Sequence, residues 1–188
     1  MTRSLRLILF AALGLGTVGC GYNRIQALDE QVNKAQGQIA AQLQRRADLI
    51  PNLVETVKGY AKQESTIFTE VAEARAKLAG SIKSGNVEEM AKANEALNAP
   101  LGRLLAISEN YPQLKSDANF RALMDELTGT ENRIATARQD YNEAVNQYNS
   151  FIRTFPYNLT AKLFGYGKPR PYFEAQSGAE APPKVNFN

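Results

Sequence analysis

The chain has 188 residues, 44% of them apolar, with 22 basic and 19 acidic side chains, no histidine and a single cysteine, Cys20. That length suits one domain plus a terminal signal; the lack of histidine excludes Ser-His-Asp and Cys-His nucleophile systems and imidazole metal sites, and a lone cysteine excludes an internal disulfide. Without Arg3 and Arg6, which precede the first apolar run, 20 basic residues of interleaved sign face 19 acidic ones, a balance that argues against a nucleic-acid partner.

Residues 1–19 read as a signal peptide or N-terminal anchor: Arg3 and Arg6 lead into the apolar run LILFAALGLGTVG, residues 7–19. Thirteen residues fall short of the about 20 that span a bilayer and match a signal core. The sequence Thr17-Val18-Gly19-Cys20 resembles a bacterial lipoprotein signal, which makes Cys20 the expected lipidation site. The alternative is an uncleaved single-pass anchor extended through Tyr22. Either way the chain is expected on a lipid bilayer in the cell envelope, facing the periplasm from the outer or inner membrane. Gly21 after the cysteine resembles outer-membrane sorting.

From Tyr22 to Ala79 an apolar seam runs through Ile25, Leu28, Val32, Ala35, Ile39, Leu43, Ile50, Leu53, Val57, Ala61, Ile67 or Phe68, Val71 and Leu78, at the spacing of one helical face. Pro51 is the one helix breaker in it, and the spacing predicts a kinked rod or a tight break there. Residues 83–86, KSGN, predict a loop with Asn86 capping the next helix. That helix carries Val87, Met90, Leu97, Leu101, Leu104, Ser108 and Tyr111 through Pro100. Ser116 or Asp117 is expected to cap a last long helix with the seam Phe120, Leu123 or Met124, Leu127, Ile134, Tyr141, Val145, Tyr148, Ile152 and Phe155, closed by Pro156. An aromatic, basic segment follows, and residues 175–188 have the composition of a disordered tail. The expected fold is all-α: an antiparallel up-and-down bundle of long helices over residues 20–174, in four segments with a break or kink near Pro51.

Four stretches carry a resemblance: QIAAQLQRRADLIPNLVETVKGYA at 38–61, VAEARAKL at 71–78, RLLAISENYPQLKSDANF at 103–120, and the run from Asp125 to Ala175, which includes FPYNLTAKLFGYGKPRPYFEA. The chain resembles the LemA family of bacterial membrane-anchored helical proteins. The resemblance implies a four-helix bundle with a membrane-proximal N-terminus and no established enzymatic activity. One branch is of magnetosome membrane proteins, which implies membrane organisation. Many relatives look like uncleaved single-span proteins, whereas this chain looks lipidated.

Charged residues on apolar seams are the candidate site: Arg45, Arg46, Asp48, Glu131 and Arg138 as a polar core network, with Arg46 or Arg45 in ion-pair reach of Glu131 or Asp48. Glu64 and Arg75 also sit on the first seam. Buried charge needs pairing, so the structural reading is a network that sets helix register. Carboxylate pairs such as Glu70 with Glu73 lack the histidines of di-metal bundles, so no metal or other cofactor is expected. Phe164, Tyr166, Tyr172 and Phe173 are candidates for membrane or partner contact; docking of this segment on the bundle is the other reading. A kinked rod from Tyr22 to Ala79 would leave three passes and place the aromatic segment away from the anchored end.

The favoured function is a membrane-tethered, non-catalytic helical scaffold or adaptor that binds an envelope protein or organises membrane. The rival is an envelope hydrolase with Glu131 or Asp48 as base.

Overall fold

Seam residues spaced three and four apart make amphipathic helices, and every regular element among the described residues is an α-helix. The computed structural model describes residues 3–173, with side chains from residue 21 onward. The side chains of the expected signal over 1–19 and of Cys20, and the tail over 175–188, lie outside that description. The elements are α1 (Arg3–Tyr60), α2 (Ser65–Ser84), α3 (Val87–Asn110), α4 (Pro112–Ser116), α5 (Ala118–Arg153) and α6 (Tyr157–Leu163). Among residues 21–173, no helix is long and apolar enough to cross a membrane.

Residues 21–173 form two units, 21–37 with 139–172, and 38–138 with Phe173. In the second unit, four helical stretches alternate in direction. Tyr60 bonds Asp117 at one end of the α1–α5 pair, and Arg45 and Arg46 meet Glu126 and Glu131 further along, so α1 and α5 run antiparallel. Arg75 of α2 reaches back to Ala47 of α1, and Arg103 of α3 to Glu70 of α2, which makes each of those pairs antiparallel too. The core is apolar and continuous: Leu43, Ile50, Leu53 and Val57 of α1, Val71 and Leu78 of α2, Met90, Leu97 and Leu104 of α3, and Ile134 of α5 are all nearly inaccessible.

Helix boundaries follow local chemistry in most places. Asn86 caps α3 by accepting from the backbone N–H groups of Glu88 and Glu89, where the acidic first turn also suits the helix dipole. Asp117 Oδ1 accepts from the N–H of Phe120 and opens α5. Pro100 lies inside α3.

Of the kinked rod and the tight break expected near Pro51, the structure shows no break. α1 passes through Pro51 without interruption, and the chain reverses at residues 61–64 instead. No glycine or proline marks that turn. What marks it is Lys62-Gln63-Glu64-Ser65-Thr66, five polar residues in a row; a helix continuing through them would have carried one into the core. The reversal gives four passes rather than three.

That parity decides the place of the aromatic segment, which is a second correction. It lies not at the end remote from Cys20 but against the turns of α1 that carry Tyr22 and Asp29, within the first unit. Phe164 packs on Tyr22 with ring centroids 4.7 Å apart, Tyr166 meets Tyr22 edge-on, and Arg170 binds Asp29. Gly165, at φ +83, turns the chain out of α6. Its left-handed conformation lets the Tyr166 N–H reach the Ala161 carbonyl at 2.8 Å, and a side chain there would be strained. Residues 164–172 then run parallel to α1 and antiparallel to α5 as an extended strap.

Candidate functional site

Two polar clusters stand out, one in each unit. In the second unit, Arg46 sits at a seam position of α1 and is buried. Its Nη1 donates to Glu131 Oε2 at 2.8 Å and to Asn94 Oδ1 at 2.6 Å, and Nη2 donates to Asn98 Oδ1 at 2.8 Å. Nε has no partner. The structure therefore joins α1, α3 and α5 through one guanidinium whose planar donors match several acceptors at once. Burial lowers the Arg46 pKa from its usual value, and the Glu131 carboxylate pushes back against that shift.

The other expected members of this network are placed differently. Arg45 is exposed and pairs with Glu126 at 2.7 Å, a carboxylate that Arg133 also holds at 2.7 Å. Asp48, expected inside the network, is exposed and accepts from Gln44 at 2.8 Å; it lies one residue beyond the seam positions Arg46 and Ala47, which turns it to solvent. Arg138 is half-buried and sets its guanidinium over the Phe173 ring, 5.0 Å from the centroid, within cation–π range. Glu131 keeps half of its side-chain surface in water.

Arg75 has a distinct partner. A proline inside a helix cannot donate to the carbonyl four residues back, and for Pro51 that carbonyl belongs to Ala47. Arg75 Nε of α2 donates to the Ala47 oxygen at 2.8 Å. The gap that Pro51 makes in the α1 ladder is thus filled from a neighbouring helix.

In the first unit, Arg170 on the strap donates from Nη2 and Nε to Asp29 Oδ1 at 2.7 and 3.2 Å, while its backbone is held by Asn149: the Arg170 N–H donates to Asn149 Oδ1, and Asn149 Nδ2 donates to the Arg170 carbonyl. Tyr141 and Tyr148 of α5 donate to the carbonyls of Pro171 and Tyr166, and burial raises the pKa of both phenols. Burial pulls the Arg170 pKa down, but the hydrogen bond and charge of Asp29 outweigh it and the net direction is up.

The four residues expected to contact membrane or partner divide. Phe173 is buried at 2% exposure and cannot serve. Tyr166 is half-buried, its hydroxyl accepting from Gln26 at 2.6 Å. Phe164 and Tyr172 remain partly exposed. More exposed than these are Phe155, Leu159 and Leu163. Phe155, expected to continue the α5 seam, lies beyond the end of α5 at Arg153 and is 76% exposed.

Asn94, Asn98, Asn149 and Asp29 went unflagged in the sequence. Asn94 and Asn149 had a signal: Asn94 fills the gap in the α3 seam between Met90 and Leu97, and Asn149 stands four residues after Val145, on the face of the α5 seam. Both are buried.

Chemically, these clusters pair cations with carboxylates and amides and fasten helix to helix. Among the described residues, no three acid or thiol side chains converge as metal ligands would. The long alternating helices and paired polar core define a helical-bundle protein of the up-down-up-down kind. The chain belongs to the LemA family, whose model matches residues 35–187. It is similar to the magnetosome protein MamQ 2 of Paramagnetospirillum magneticum, 27% identical over 93% of this chain and 72% of that protein. It is also similar to MamQ of Magnetospirillum gryphiswaldense, 26% identical over 84% of this chain and 66% of that protein. Protein LemA of Metamycoplasma hominis is 24% identical over 82% of this chain and 72% of its own length.

Proposed function

We propose that this protein is a membrane-tethered helical scaffold of the bacterial cell envelope, held by a lipidated Cys20, which binds a protein partner or organises membrane and carries no catalysis of its own. The observation that supports it most is the thirteen-residue apolar run, residues 7–19, followed at once by Cys20, within the same helix that supplies the longest seam of the bundle. The polar core points the same way, because its arginines are spent on fastening helices and Glu131 and Asp48, the carboxylates a hydrolase would use, are engaged by Arg46 and Gln44. The magnetosome names of the MamQ relatives favour an organelle-membrane or membrane-organising role over a soluble one.

Cys20→Ser tests the tether. An uncleaved precursor that no longer takes up a palmitate analogue is the expected result. A product of unchanged mass and unchanged membrane fraction would remove lipidation from the proposal. Cross-linking in native membranes followed by pull-down addresses the scaffold role; recovery of the chain alone, at every cross-linker length, would count against a protein partner.

A further inference from the structure

Helix α6 buries one face and bares another. Thr160 and Ala161 are buried, and Tyr157 and Thr160 lie against Gly21, where an added Cβ would come within 2.8 Å of the Tyr157 ring. Gly21 is thus the close-approach point that seats α6 beside the residue following Cys20. Leu159 and Leu163, four residues apart and so on one helical face, are 60% and 75% exposed, and Phe155 ahead of them is 76% exposed. Exposed apolar side chains clustered in this way mark a contact surface rather than scatter. Their charge setting is one-sided: from Ala144 to Phe173 there is no acidic residue, while Arg153, Lys162 and Lys168 are exposed cations.

We infer that α6 and the preceding Phe155 form a membrane-docking foot, with Leu159, Leu163 and Phe155 entering the acyl boundary of an anionic lipid surface and Arg153, Lys162 and Lys168 meeting its headgroups. The argument for lipid rather than a protein partner is position and charge. The apolar run over residues 7–19 leads through Cys20 into Gly21, which lies against α6, so on the tethered reading the exposed leucines lie beside the point where the chain meets the bilayer. Apolar side chains flanked by cations and without acids fit the headgroup layer. A peripheral contact of this kind would add a second attachment to the lipidated cysteine and fix how the base of the first unit stands on the membrane. The inference rests on the tethered reading above.

The chain has no tryptophan, so single-tryptophan variants report without background. Full-length Leu163→Trp and Leu159→Trp, reconstituted in phosphatidylethanolamine–phosphatidylglycerol vesicles with brominated acyl chains, should be quenched severalfold more than Gln63→Trp, whose site in the turn after α1 is solvent-exposed. Lys162→Glu combined with Lys168→Glu should reduce that quenching in anionic vesicles and leave it unchanged in purely zwitterionic ones. Quenching no greater than at position 63, in protein that still floats with the vesicles, would overturn the foot while leaving the tether intact. Failure to float would overturn both. A photo-cross-linker at position 163 that captures a protein and no lipid in native membranes would also overturn it.

Discussion

Arg46 and Arg170 each meet a carboxylate at short range, but the burial is reversed. In the second unit the cation is buried at 5% side-chain exposure and its Glu131 partner is half in water; in the first, Arg170 is 36% exposed and Asp29 only 18%. The net pKa directions follow: burial wins at Arg46, whereas the hydrogen bond and charge of Asp29 win at Arg170. A buried guanidinium is costly to desolvate and holds its place through acceptors from two other helices, so its contribution is to helix register more than to net stability. The Arg170–Asp29 contact instead fastens a segment without helical hydrogen bonds of its own to a helix that is already formed.

The largest effect should come from the buried partner. Arg46→Ala removes a large side chain from the core and strands Asn94 and Asn98, a loss of about 3–5 kcal/mol, read as a fall in Tm of about 10 °C or more. Glu131→Gln should cost less, because its carboxylate is half solvated and the two asparagines remain. Asp48→Ala should stay within about 0.5 kcal/mol of wild type. A melting curve for Arg46→Ala that overlays the Asp48→Ala curve would mean that the guanidinium leaves the core in solution.

On the other side of the comparison, Asp29→Asn weakens a half-exposed pair, worth about 1–2 kcal/mol after allowance for solvent. Its effect should be local. Hydrogen exchange at the amides of Tyr166 and Arg170 should speed up while that of α2 and α3 is unchanged, since the strap can open without the rest. Uniform acceleration through both regions would show instead that strap and bundle melt as one unit.

This difference also governs what could be read from residues alone. The bundle follows from seams of three-and-four spacing, and the same spacing put Arg46 on an inward face; Glu131, expected to point inward as well, is exposed and still pairs with Arg46. Asp48 was drawn in by its neighbours although one residue's rotation turns it outward. The strap has no period to read: Arg170 and Asp29 are 141 residues apart, and their meeting depends on the number of passes between them. That number turned on a reversal with no glycine or proline, whose trace was a run of five polar residues, while Pro51, the more conspicuous breaker, lies inside a continuous helix.

Pro51 and Arg75 supply the smallest of the expected effects and separate hydrogen bonding from charge, since the acceptor of Arg75 Nε is the Ala47 carbonyl and not a carboxylate. Replacing Arg75 by methionine keeps much of the side chain's length and apolar packing but leaves that carbonyl without the donor that Pro51 cannot provide. In Pro51→Ala the backbone N–H returns and can bond to Ala47 in the ordinary helical way. Arg75→Met should therefore cost about 1 kcal/mol more in the parent chain than in the Pro51→Ala background, a coupling within reach of a double-mutant cycle on chemical unfolding. If the two costs are equal, Arg75 contributes through its aliphatic contacts with the bundle, and the tolerance of α1 for a proline at position 51 must come from the packing of Ile50, Leu53 and Val54 around it.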